Sequence, residues 1–233
     1  MNSIPINKSI IIACDFDSIE TFEKIVKETK DCEKLGGYKL GFELGLKYGL
    51  PKLVELCRKY TNKTIIYDHQ KSGTDVPFTG EKFAKVCKEA GIDIVIHFPQ
   101  AGPETERAWI KASLEAGLGV IIGGEMTHPS YLKQDGGFLC DDAPLRMYEI
   151  AIEEGVTEFV VPGNKPEKIK KYKEFFDSKG IDSVLYSPGL VSQGGEISAS
   201  GEAAGKKWHA IVGRAVYQAE DVKKAVEELS AKL

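Results

Sequence analysis

Residues 64–97 read TIIYDHQKSGTDVPFTGEKFAKVCKEAGIDIVIH, and this stretch carries the whole pattern of the chain in one unit. Thr64-Ile-Ile-Tyr67 is a short β-branched and aromatic run that stops at a charged residue, Asp68. A loop containing Gly73 and Pro77 follows, and residues 80–90 then repeat apolar side chains at helical spacing. A second apolar run, 92–97, ends at His97. A strand, a helix and another strand in this order form a parallel crossover unit.

Outward from this unit the same alternation reaches both ends of the chain. Strands are predicted at 9–14, 38–42, 64–67, 92–97, 119–122, 158–161, 183–186 and 209–212, with amphipathic helical stretches at 20–30, 80–90, 104–116 and 165–179 between them. No Pro/Ser linker, low-complexity tract or shift of composition divides these eight units, so residues 1–233 are expected to form one domain. Alternating β and α elements give a parallel sheet, either open or closed into a barrel. The polar residues decide between them, because they cluster where strands end: Asp15, Lys39, Asp68, His97, Glu125 with Thr127, Pro162, Ser187, and Gly213 with Arg214. Only a closed (β/α)8 TIM barrel brings eight such ends to one mouth, where the active sites of that fold lie.

With 35 acidic and 31 basic residues the formal net charge is −4, so no general field attracts polyanions and no nucleic-acid partner is expected. No apolar run is long enough for a membrane span or a signal core, which places the chain in the cytoplasm with no membrane partner. The five cysteines (Cys14, Cys32, Cys57, Cys87 and Cys140) contain no C-x-x-C pair and read as core fillers. No two histidines and a carboxylate recur at ligand spacing, so no metal site and no cofactor are expected.

Two groups of residues could carry chemistry. Asp15, Lys39 and Asp68 end strands one to three, which are neighbours in a barrel, and Lys71 and Asp75 follow in the third loop. Converging there, they make an alternating Asp/Lys array in which flanking carboxylates keep each lysine protonated, an arrangement suited to protonating a carbanion. In the second group, Ser187-Pro-Gly-Leu-Val-Ser-Gln-Gly-Gly195 follows strand seven and Val212-Gly-Arg-Ala-Val-Tyr217 follows strand eight. These two loops commonly bind phosphate in barrels of this type. Gly194, Gly195 and Gly213 would let backbone N–H groups approach phosphate oxygens, with Gln193 and Arg214 as side-chain donors. His97 reads as a structural histidine, and the loop 130–142, with Gly136-Gly137, as a candidate lid.

In order and spacing the chain resembles the orotidine 5′-phosphate decarboxylase family, in particular its short archaeal-type members, over almost its whole length. The matching motifs are Ile12-Ala-Cys-Asp15, Tyr38-Lys39, Asp75-Val-Pro-Phe-Thr79, Glu125-Met-Thr-His-Pro129, Pro188-Gly189 with Gln193-Gly-Gly195, and Val212-Gly-Arg214 with Tyr217. One motif departs from the family pattern D-x-K-x-x-D: here Asp68-His-Gln-Lys71-Ser-Gly-Thr-Asp75 has each gap one residue longer. Side chains three apart on a strand face opposite ways, so the segment must bulge, and Gly73 is suited to absorbing it.

The resemblance implies cofactor-independent decarboxylation of orotidine 5′-monophosphate to UMP, with Lys71, Asp68, Lys39 and Asp75 as the catalytic set. It implies that Asp15 binds the ribose, Thr127 reads the pyrimidine, and Gln193, Gly194, Gly195, Gly213 and Arg214 hold the phosphate, with Pro162 among the substrate contacts. It further implies a homodimer in which Asp75 and Thr79 reach into the neighbouring subunit's mouth. Two rival readings stand beside it: a magnesium-dependent aldolase or decarboxylase of the hexulose-phosphate synthase type, and a catalytically inert barrel that binds a nucleotide phosphate.

Overall fold

The computed structural model describes residues 3–70, 73 and 75–233. Eight parallel strands, β1 (Lys8–Cys14), β2 (Leu35–Leu40), β3 (Thr64–Tyr67), β4 (Ile94–His97), β5 (Gly119–Gly123), β6 (Glu158–Val160), β7 (Val184–Ser187) and β8 (Trp208–Val212), pair in sequence order. β1 pairs with β8 as well as β2, which closes the barrel as expected.

Alternation along each strand divides the core in two. Ile10, Ile12 and Cys14 of β1 face the helical layer together with Tyr38 and Leu40 of β2. Ile11 and Ala13 face the barrel interior with Ile66, Ile94, Ile96, Ile121 and Ile211. Parallel strands buried on both faces read as near-continuous apolar runs for this reason. Within them an inward-facing charge such as Lys39 stands out.

The second strand begins earlier than its sequence suggests and ends at Leu40, so that Phe42 opens a helix, α2 (Phe42–Tyr48), instead of closing the strand. The cause is Gly36-Gly37, which reads as a turn but lies in the sheet. The register slips between Ile10↔Leu35 and Ile11↔Gly37, leaving Gly36 as the extra residue of a bulge. A Cβ at Gly36 would collide with Ser9, and one at Gly37 with the Thr64 carbonyl. The remaining strand boundaries lie within two residues of expectation.

The outer helices form where the apolar period is 3.6 and the caps agree. α1 (Ile19–Thr29) starts at Ser18, whose side chain accepts from Thr21 N–H at 3.1 Å, and buries Phe22, Ile25, Val26 and Thr29 on one face. α3 (Leu50–Arg58), α4 (Gly80–Glu89), α5 (Pro103–Glu115), α6 (Ala143–Glu153), α7 (Pro166–Ser178) and α8 (Ile197–Ala204) complete the ring with α9 (Arg214–Tyr217) and α10 (Val222–Ser230).

The barrel floor is polar but paired. Ser9 Oγ and His209 Nδ1 lie 2.7 Å apart, Tyr186 Oη donates to Glu158 at 2.5 Å, and Ser3 N–H donates to the same carboxylate at 2.8 Å. His97 faces the helices instead, 3.0 Å from Ser113 Oγ and against the rings of Phe83 and Trp109. Burial pushes His97 down to about 3 and His209 down to about 4.

The folded chain therefore keeps both rings neutral in a range where the unfolded chain protonates them. Their contribution is complete above about pH 6.5 and is lost as pH falls, at roughly 1.4 kcal/mol per pH unit for each ring. His209→Gln, which keeps an acceptor for Ser9 but cannot titrate, should lower the acid slope of stability by one proton between about pH 6 and pH 4.5. Urea unfolding across that range measures it, and an unchanged slope would refute the assignment.

Candidate functional site

At the C-terminal end of the barrel, Lys39 points inward between two carboxylates. Ala13 and Ile66 flank it in register, so Asp15 and Asp68 stand one inward position further along β1 and β3. Lys39 Nζ lies 3.1 Å from Asp15 Oδ1 and 3.1 Å from Asp68 Oδ2. The Asp68 N–H donates to Leu40 O at 3.0 Å, which extends the β2–β3 ladder just far enough to hold the carboxylate over the lysine. Burial lowers the pKa of Lys39, but the charges of Asp68 and Asp15, with their hydrogen bonds, outweigh it and raise the pKa above that of an ordinary lysine. The group is a fixed positive charge in the barrel mouth.

This cluster forms one wall of a cavity of about 320 Å³ that is also lined by Gln70, Phe98, Thr127, Gly189, Gln193, Gly213, Arg214 and Tyr217. That volume suits a nucleotide-sized ligand. Arg214, the first residue of α9, reaches Ser192 O at 3.5 Å, so loops seven and eight meet over the cavity. Loops five and seven meet too, since a Cβ at Gly189 would fall 2.7 Å from Thr127 Cγ2 and 3.1 Å from Gln193 Oε1.

Thr127 is held from behind. Asn164 Nδ2 donates to Thr127 O at 3.2 Å, and Glu125, two residues earlier, is a fully buried carboxylate. Glu125 accepts from Lys165 at 3.1 Å and from Tyr172 Oη, and Lys168 lies 3.4 Å away. Burial works against its charge, but Tyr172 and the two lysines hold its pKa below the usual carboxylate value.

The structure thus brings Asp15, Lys39, Asp68, Thr127, Gln193, Gly213 and Arg214 to one cavity. Gly194 and Gly195 lie outside its lining, and their N–H groups donate to Val191 O and Gly189 O within the loop. Their lack of side chain serves the turn: Gly194 has φ +89, and a Cβ on Gly195 would press on the Gly163 and Gly189 carbonyls. Pro162 is buried beneath the sixth loop, its carbonyl accepting from Lys165 N–H. Asp75 and Thr79 are turned away from the cavity, Asp75 capping Val76 N–H and Thr79 donating to Val76 O. Lys71 lies outside the described residues. Around it the chain does change hand, with Gln70 at φ +47 and Gly73 at φ +91, the latter packed on His97.

The loop 130–142 is braced from inside. Lys133 N–H donates to Leu139 O, Gly137 N–H to Leu132 O and Gln134 N–H to Asp141, while Tyr131 anchors its base on Gly124 O. Phe98 and Gln70 also line the cavity, and neither carries a charge by which the sequence would mark it.

A closed parallel barrel with a buried Asp–Lys–Asp cluster and Arg214 in one cavity at its C-terminal end has the layout of a barrel enzyme with its active site in the mouth. Residues 8–229 match the family model described as orotidine 5′-phosphate decarboxylase / HUMPS, and the chain belongs to that family. It is similar to the orotidine 5′-phosphate decarboxylase of Methanosarcina mazei, with 30% identity over 97% of this chain and 96% of that one. The Methanocaldococcus jannaschii protein of the same name is 29% identical over 94% and 95% of the two chains. Among solved structures, the orotidine 5′-monophosphate decarboxylase of Methanocaldococcus jannaschii complexed with inhibitor BMP superposes with a TM-score of 0.84 at 27% identity, covering 97% and 98%. The Pyrococcus horikoshii enzyme gives 0.78 at 28% identity, covering 96% and 98%.

Glu125→Gln should destabilise the fold by about 1–3 kcal/mol, since it leaves two lysines facing a neutral group in a largely dry site. The shift in the urea midpoint at pH 7 checks this, and a change below about 0.5 kcal/mol would show that the network contributes nothing net.

Proposed function

We propose that this chain decarboxylates orotidine 5′-monophosphate to UMP in de novo pyrimidine biosynthesis, with residues 1–233 acting as one catalytic domain and no cofactor or metal. The observation that carries the reading is that one cavity holds both the Asp15–Lys39–Asp68 cluster and the side chains of Arg214 and Gln193. A dianionic phosphate fits the second group, and a reacting carbon that passes through a carbanion fits the first. The names of the relatives and the inhibitor-bound structure support the same activity.

Arg214 and Gln193 grip the 5′-phosphate beside Gly213, and this remote binding energy presses the pyrimidine against the charged cluster. Asp15 binds the ribose hydroxyls, and Lys39 holds both aspartates in place and touches the ribose. Asp68 stands by the substrate carboxylate at C6. As the C6–carboxylate bond breaks, its electron pair stays on C6 and CO2 departs. Lys71, three residues beyond Asp68, stabilises that charge and then delivers a proton to C6, regaining one from solvent afterwards. Thr127 reads the polar edge of the ring. In the rival metal-dependent chemistry a dication would need the carboxylate oxygens that here accept from Lys39.

Loss of orotidine monophosphate absorbance should proceed unchanged with excess chelator, and Lys71→Ala should abolish it while UMP still binds. Inhibition by chelator would favour the aldolase-type reading. Turnover of the variant within about tenfold of the wild type would reject Lys71 as the proton donor.

The cytoplasm is the compartment assigned, in keeping with free, mostly buried cysteines. No nucleic-acid or membrane partner is assigned, and among the described residues no helix is long and apolar enough to cross a membrane. We assign a homodimer with composite sites. Phe42 and Leu46 on α2 and Val76 and Phe78 in the third loop are exposed apolar side chains near the mouth, and Asp75 and Thr79 do not line their own cavity. A Lys71→Ala subunit paired with an Asp75→Ala subunit would then contain one intact site. Refolding equal amounts of the two inactive variants together makes about half the dimers mixed and should restore roughly a quarter of wild-type sites. Tagged mixed dimers without activity would show that Asp75 serves its own subunit or none.

A further inference from the structure

Phe98 follows directly on β4, is 3% exposed, and lines the same cavity as Lys39, Asp68 and Thr127. It packs with Ile96, Val160 and Ile211 of the barrel interior. Its far edge rests on the backbone of β5. β4 and β5 are paired up to His97↔Ile122, so one step further Phe98 comes level with Gly123. A Cβ on Gly123 would overlap Cζ, Cε1 and Cε2 of the ring together. The ring occupies the space that a side chain at 123 would fill, and the two residues form a matched pair.

The order of atoms in a pyrimidine follows the order of strands around the mouth. Asp68 ends β3, Phe98 follows β4 and Thr127 follows β5. With C6 at Asp68 and the polar edge beyond C4 at Thr127, the atom between them, C5, is turned toward β4. A C5 hydrogen can rest against an aromatic ring at van der Waals contact. A methyl group in its place must displace a buried side chain already seated on backbone.

We propose that Phe98, seated on Gly123, sets the depth of the cavity at pyrimidine C5 and makes the site selective for nucleotides unsubstituted there. This rests on the reading of the cavity as a uridine nucleotide site. The test is calorimetric titration of UMP and 5-methyl-UMP into the wild type, Phe98→Ala, Phe98→Leu and Gly123→Ala. The readout is the ratio of the two affinities within each protein, which a general loss of affinity leaves unmoved.

The wild type should prefer UMP by about tenfold or more, as a closed apolar pocket does for one excess methyl. Phe98→Ala should reduce the ratio to about threefold or less, with Phe98→Leu between. Gly123→Ala lifts the ring from its seat and should widen the ratio. Should Phe98→Ala not fold, the other two variants carry the test from opposite sides. A wild type that binds both nucleotides equally, or variants that bind UMP with an unchanged ratio, overturns the proposal. Failure of the wild type to bind UMP at all overturns the reading of the site itself, and this proposal with it.

Discussion

The Lys39 ammonium, withdrawn from water at the top of the barrel and held 3.1 Å from each of two carboxylates, is the interaction on which the mouth depends. A buried charge is costly unless it is paired and hydrogen-bonded, and here the pairing binds three adjacent strands to one another through their ends. The same contact keeps a positive charge inside the barrel and fixes the positions of Asp15 and Asp68.

What lies below that cluster makes it possible. Inward residues from alternate positions fill the interior with branched apolar side chains, Ile11, Ile66, Ile94, Ile121 and Ile211 among them, and exclude water from beneath Lys39. The floor returns to polar groups, but each of Ser9, His209, Tyr186 and Glu158 has a partner there. Buried polar groups satisfied in this way hold register without competing for the lysine.

The far wall is built by another route. Loops five, six and seven are tied by Asn164 to Thr127 O, Gly163 N–H to Pro188 O, and Ser200 to Gly163 O, with Glu125 and its lysines behind them. Glycines at 163 and 195 allow these backbones to approach closely, and Gly189 leaves room for the side chains of Thr127 and Gln193. The polar cluster and the loops after β5, β6 and β7 therefore have separate supports, one in the strand ends and one in the loop backbones, and the cavity lies where the two meet.

Strand and helix type were legible in the sequence because period two and period 3.6 are local properties, and the strand-end residues Asp15, Lys39, Asp68, Thr127 and Arg214 were legible because parallel strands put all their ends on one side. Gly36-Gly37 was misleading, since its place in the sheet depends on Ser9 and Thr64 lying opposite, residues distant in the chain. The direction of the Gly194 and Gly195 N–H groups is set by which carbonyls the folded loop offers them. The seating of Phe98 on Gly123 is likewise a matter of two strands meeting in register. Sequence determined which residues reach the mouth, because that follows from each strand's own direction. Tertiary structure decided which of them face the cavity, because that depends on the atoms packed behind them.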